Sequence, residues 1–193
     1  LKNIIKKKYK KKINLENFHL NFNETNINEL RLFIFNQINK DKNFKKNLFL
    51  GAKENIELCV GSELCTSDIN LSIQLPSDKT SVLDMHTDFF SGESLFQINL
   101  WVPFVKVKKT QSMFIINPEN SLKILKQIKK NNSITFKDIR KKYSKHIKWI
   151  SFEKGEAMVF SSNCLHGNVV NLEKKTRWST NIRYKNLFSP YND

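Results

Sequence analysis

From residue 27 to residue 38 apolar side chains recur at three- and four-residue intervals, Ile27, Leu30, Ile34 and Ile38, a stripe that only a helix brings onto one face. Asn26 precedes the stripe and Glu29 stands three residues later, a capping-box-like start that predicts a helix over about 27–39. The first 50 residues as a whole read as helical. From Ile56 the period falls to two. Ile69, Leu71, Ile73 and Leu75 alternate with Asn70, Ser72 and Gln74 until Pro76 ends the run, which predicts a half-buried strand. The segment Phe96 to Val102 repeats the pattern, with Phe96, Ile98, Leu100 and Val102 on one face and Gln97, Asn99 and Trp101 on the other. One face packs and the other looks into something polar.

After Pro118 the pattern turns helical again. Leu122, Leu125 and Ile128 mark one lysine-rich amphipathic segment, and Phe136, Ile139 and Tyr143 mark a second, opening on Thr135 with Asp138 as another capping box. Strand character returns at Trp149 to Phe152, a turn falls at Lys154-Gly155, Ala157 to Phe160 leads into SSNCLHGNVV, and TRWSTNIRY closes the series. No internal repeat or linker interrupts it. These elements predict one domain over 1–193, mostly β with flanking helices: a helical part at 1–50, barrel strands at 55–116 and 149–185, and a helical insertion at 118–148. The architecture that fits is a double-stranded β-helix, a jelly-roll or cupin-like barrel.

Composition narrows the class. The 193 residues suffice for one substantial core, and 39% hydrophobic residues with 15 Phe describe a globular chain. No apolar run approaches the ~18 residues of a membrane span, and the start LKNIIKKKYKKKI lacks the apolar centre of a signal peptide, so a cytoplasmic protein is expected. The chain opens on Leu, so a short N-terminal piece is expected to precede it. Cys59, Cys65 and Cys164 are odd in number and lack zinc-like spacing, which argues for free thiols. The net charge of +15 attracts polyanions, yet most of it is Lys spread along the chain. That distribution suits solvated faces better than a nucleic-acid groove.

Chemistry concentrates in HTDFFSGESLFQINLWVP. In a strand, residues two apart face the same way, so His86 and Asp88 can hold adjacent positions on one metal ion. His166 in CLHGN, with Gly167 permitting a tight turn behind it, is the natural third ligand. Two His and one carboxylate on one face of Fe(II) leave three positions for a bidentate co-substrate and dioxygen. An HxD triplet alone arises by chance in roughly 0.15 of chains of this composition. TRWSTNIRY strengthens the case, because Arg177, Ser179, Asn181 and Arg183 share a strand face and Arg177 follows His166 by eleven residues. A lumen-facing Arg calls for an anion, and its fork matches a carboxylate. The alternative for Arg177 is a buried ion pair with a glutamate. Arg183 lies about 20 Å further along the strand and is expected in solvent. His19 and His146 are expected there too, and Cys164 is expected to be buried as a small apolar group.

With HxD at His86-Thr87-Asp88, a distal His166 and RxS at Arg177-Trp178-Ser179, the chain resembles the Fe(II)/2-oxoglutarate dioxygenases. QLPSDKTSVLDMHTDFFSGESLFQINLWVPFV followed by SMFI is similar to the small phytanoyl-CoA-dioxygenase-like oxygenases of bacterial carbohydrate biosynthesis clusters. The resemblance covers about 69–184 and departs after SMFI, where NPENSL stands in place of a Pro-Gly-Ser-His-like turn. It implies iron on His86, Asp88 and His166, 2-oxoglutarate anchored by Arg177 and Ser179, and dioxygen at the last position. Related halogenases lack the carboxylate, so Asp88 points to hydroxylation. Gln97, Asn99 and Trp101 are candidates for the wall of the binding pocket. The expected substrate is a small, sugar-derived molecule. Two alternatives stand beside it: a nucleic-acid dealkylating oxygenase, and a basic non-catalytic metal-binding module.

Overall fold

The computed structural model describes residues 1–10, 13–22, 24–130 and 136–191. Four helices open the chain: α1 (Lys2–Tyr9), α2 (Glu24–Lys40), α3 (Lys42–Leu50) and α4 (Lys53–Val60). Strands β1 (Leu64–Thr66), β2 (Asn70–Gln74), β3 (Gln97–Pro103) and β4 (Phe114–Ile115) follow. Helices α5 (Pro118–Lys130) and α6 (Phe136–Lys142) form the insertion, and β5 (Lys148–Trp149), β6 (Met158–Ser161), β7 (His166–Gly167) and β8 (Arg177–Asn186) complete the chain. No described helix is long and apolar enough to cross a membrane.

The helical boundaries differ from the expected ones in instructive ways. Helix α2 spans Glu24–Lys40, so Asn26, expected to stand just before the helix, lies within its bounds. The cap expected at Thr135 lies outside the described residues. Residues 55–60, expected in barrel strands, are helical, because Ala52, Ile56 and Val60 repeat every four residues and pack as one stripe onto the core. Asp41 caps α3, its carboxylate accepting from the Asn43 and Phe44 amides at 3.0 and 3.2 Å.

The strands form two sheets. The larger runs β1-β8-β3-β6, with β2 also paired to β8, and the smaller runs β5-β4-β7. Every pairing is antiparallel, and no closed barrel forms among the described residues. Register decides what each face of the large sheet does, since residues paired across antiparallel strands project to the same side. Ile73 pairs with Trp178 and Leu100 with Ile182, and this face is covered by the N-terminal helices. Trp178 is sealed there, edge-on to Phe18 at 4.9 Å and donating its indole N–H to the Leu15 carbonyl at 3.0 Å. The opposite face carries polar rows: Gln74 beside Arg177, Ser72 beside Ser179, Asn70 and Trp101 beside Asn181, and Asn99 between Arg183 and Phe160. Strand β3 is therefore buried on both faces where a half-buried strand was expected. Phe96, expected on its packed face, precedes the strand and is exposed.

Candidate metal centre

The small sheet brings the two histidines together. β7 consists of His166 and Gly167, and His166 forms an antiparallel bridge with His86. Residues opposite one another in such a bridge share a side, so the imidazoles lie together, 4.3 Å between centroids. Gly167 serves close approach here and no turn: a Cβ would stand 2.9 Å from the Leu83 and Asp84 carbonyl oxygens and the Phe114 ring.

Asp88 reaches the same point by a different route. It does not continue a strand from His86; its backbone is helical and opens a short 3-10 turn over Phe89–Ser91. Even so, its Oδ1 lies 3.8 Å from His86 Nε2 and 3.9 Å from His166 Nε2, and all three donor atoms fall within 4.8 Å of one another. Each imidazole donates from Nδ1 to a backbone carbonyl two residues earlier, His86 to Asp84 and His166 to Cys164, both at 2.8 Å. Those bonds fix the tautomer and leave both Nε2 lone pairs aimed at the shared space, the arrangement a metal ligand needs. Burial, then the neighbouring His86, pushes His166 down to about 4, so its lone pair is free at neutral pH.

Burial opposes ionisation of Asp88, but hydrogen bonding from Arg183 helps to outweigh it and holds the carboxyl below its ordinary range. Arg183 is thus turned inward, where exposure was expected. It donates from Nε to Asp88 Oδ2 at 3.3 Å, places Nη2 3.2 Å from Oδ1, and pairs Nη1 with Glu93 at 3.2 Å. Its position on the inward face of β8 was legible from the alternation. Its partner was not, because Asp88 comes from a separate turn ninety-five residues earlier in the chain. Asn99 is fully buried in the row between Arg183 and Phe160, where its side chain adds to the forces that hold the Asp88 carboxyl down.

A cavity of about 510 Å³ opens between the sheets, lined by the three donors and by Arg177, Ser179, Asn181, Trp101 and Phe160. At the Arg177 end the arginine is 3% exposed and its guanidinium meets no carboxylate among the described residues. It donates to the Ser112 carbonyl at 3.3 Å and to Ser72 Oγ at 2.9 Å, and its Nε has no partner among the described residues. Burial alone pulls its pKa down to about 10, a penalty that an anion beside it would relieve. Ser179 Oγ, Ser112 Oγ and Asn181 Oδ1 are also buried without hydrogen-bond partners among the described residues. Buried polar atoms are normally hydrogen-bonded, so Arg177 Nε and Ser179 Oγ, unpartnered two residues apart on one strand face, suit a polar ligand between them.

The remaining candidates settle elsewhere. Gln97 is off the cavity wall, its amide donating to Glu93 at 3.2 Å. His19, expected in solvent, is half-buried with Nδ1 3.0 Å from Thr176 Oγ1, bracing the residue before Arg177. His146 is exposed, and Cys164 is buried with its thiol pushed up by that burial.

No family model matches the chain, and no curated protein matches it by sequence. Solved structures match it in three dimensions. HygX from Streptomyces hygroscopicus with iron bound superposes with a TM-score of 0.59 at 11% identity, over 88% of this chain and 81% of that one. HygX with nickel and 2-oxoglutarate bound gives 0.57 at 10% identity over the same shares. ThoJ, a non-heme monooxygenase in complex with nickel, gives 0.53 at 16% identity, over 71% of this chain and 51% of that one. The chain thus spans about half the length of ThoJ. At these identities the likeness is one of fold, which this chain shares with HygX and with ThoJ.

Proposed function

We propose that this protein is an Fe(II)- and 2-oxoglutarate-dependent oxygenase that hydroxylates a small, sugar-derived molecule. The observation that carries the reading is the pairing, in one cavity, of a two-histidine, one-carboxylate donor set with a buried arginine that has no acidic partner among the described residues. The donor set suits ferrous iron, which takes imidazole and carboxylate on one face and leaves the other open. HygX, similar in fold, has been solved with iron and with nickel and 2-oxoglutarate, which agrees with this choice of metal and co-substrate. Iron with 2-oxoglutarate and dioxygen would supply the oxidation itself, in which one oxygen atom enters the co-substrate as it loses CO2 to become succinate and the other enters a C–H bond of the substrate.

The chain's own residues do the rest. His86, Asp88 and His166 would hold the metal, the two imidazoles in the tautomer their carbonyl partners impose. Arg177 and Ser179 would take the far carboxylate of 2-oxoglutarate, satisfying two groups otherwise buried without adequate partners. Phe160, Trp101 and Met113 on the wall keep water from the reacting end. Asn70, Thr80, Ser81 and Asn168 line the remaining space with hydroxyl and amide groups, a surface suited to a polyol. We read the two sheets as the facing halves of a double-stranded β-helix of the phytanoyl-CoA-dioxygenase-like kind.

The test is succinate formation by the iron-loaded protein with a panel of nucleotide sugars and free sugars, set beside alkylated DNA. Turnover with a sugar, abolished in His166→Ala, is the expected result. Succinate formed only with DNA would overturn the substrate class, and none with any substrate beside intact metal binding would favour a non-catalytic module.

A further inference from the structure

The three donors are not positioned alike. His86 and His166 are aimed by the main chain, each through a carbonyl two residues back. Asp88 has no such aid: it sits at the head of a 3-10 turn and makes no capping bond to it. Its carboxylate is instead gripped by Arg183 from β8, one guanidinium nitrogen against each oxygen, at 3.3 and 3.2 Å. Arg183 is itself fixed by Glu93, whose other oxygen accepts from Gln97 of β3 at 3.2 Å. Glu93 closes the loop through its backbone, its N–H donating to the Asp88 carbonyl at 3.2 Å.

We infer that Arg183 is a positioning residue, which with Glu93 and Gln97 behind it sets the Asp88 carboxylate in its ligating orientation and so tunes the affinity of the centre for a divalent metal. The inference rests on the metal-centre reading above. A side chain on a turn has several rotamers open to it, and a planar fork bonded to both oxygens removes all but one. Partners behind a ligand of this kind are typically worth about 10- to 100-fold in metal affinity. The same relay explains two polar side chains that no cofactor role requires, Gln97 and Glu93.

The experiment is anaerobic titration of Fe(II), with Co(II) as a coloured substitute, into the full chain and its variants, each checked for folding by circular dichroism and urea denaturation. Arg183→Gln should bind about 10- to 100-fold more weakly. Arg183→Lys, which keeps the charge and loses the fork, should fall between, and Glu93→Gln should lose less than Arg183→Gln. If Arg183→Gln does not fold, the Lys and Glu93 variants carry the test. Loss of folding stability with metal affinity unchanged would show a purely structural role and overturn the inference. Tighter binding in Arg183→Gln would show a competitor for Asp88 and overturn it too, as would full affinity in Arg183→Lys. His166→Ala is the control: if it also binds as wild type, the metal centre itself is misassigned, and the inference falls with it.

Discussion

His86 and His166, eighty residues apart in the chain, exchange both of their backbone hydrogen bonds, His86 N–H to His166 O at 2.9 Å and His166 N–H to His86 O at 3.0 Å. This single bridge sets the two imidazoles side by side without help from any side chain. Asp88 enters from a turn on the same segment as His86, so the centre needs only two stretches of chain to meet.

Removal of any donor should empty the centre. Each of His86→Ala, Asp88→Ala and His166→Ala should lower Fe(II) affinity at least about a hundredfold, since each deletes one third of the protein's ligands. Metal titration with elemental analysis should find one iron per wild-type chain. Wild-type affinity in any one variant would remove that residue from the site.

Gly167→Ala tests the bridge without touching a ligand. The added methyl would meet two carbonyls and an aromatic ring at 2.9 Å, and one of those carbonyls, that of Asp84, orients His86. Stability should fall by about 1 to 3 kcal/mol and metal affinity should fall with it. A variant with full stability and affinity would contradict the close packing described for this strand.

Trp178 separates scaffold from site, because it stands between Arg177 and Ser179 in sequence and faces the helices. Trp178→Ala should cost about 3 to 5 kcal/mol in urea denaturation, while the folded fraction keeps its affinity for iron. Loss of iron binding at unchanged stability would place the indole in the centre.

On the cavity wall Arg31 is already paired with Asp78 and Arg183 with Asp88 and Glu93, and no lysine among the described residues lines it. Binding to generic single-stranded or duplex oligonucleotides should therefore be weak and add nothing to turnover. Tight binding that falls tenfold or more between about 50 and 200 mM salt, together with DNA-stimulated succinate formation, would restore the nucleic-acid reading.

The alternation in TRWSTNIRY reports a strand whose two faces do different work, and the structure divides them accordingly: Trp178 and Ile182 to the helices, Arg177, Ser179, Asn181 and Arg183 to the cavity. The His86–Asp88 pair was legible as well, though for an incomplete reason, since side-chain alternation cannot announce that the strand ends before Asp88. What the pattern hides is mostly non-local. The partner of Arg183 comes from another element, and the purpose of Gly167 appears only once Leu83, Asp84 and Phe114 close around it. Helix α4 was hidden by a short apolar stripe that strand and helix share.

The most direct measurement titrates 2-oxoglutarate into the anaerobic Fe(II)-loaded protein and follows the weak visible band that its chelation of iron produces. Wild type should show the band at one equivalent, and His166→Ala should not show it. Arg177→Ala should keep its iron but lose about 2 to 4 kcal/mol of 2-oxoglutarate binding, roughly thirty- to several-hundred-fold, with Arg177→Lys recovering part. No band in iron-loaded wild type, or equal affinity in wild type and Arg177→Ala, would contradict the account.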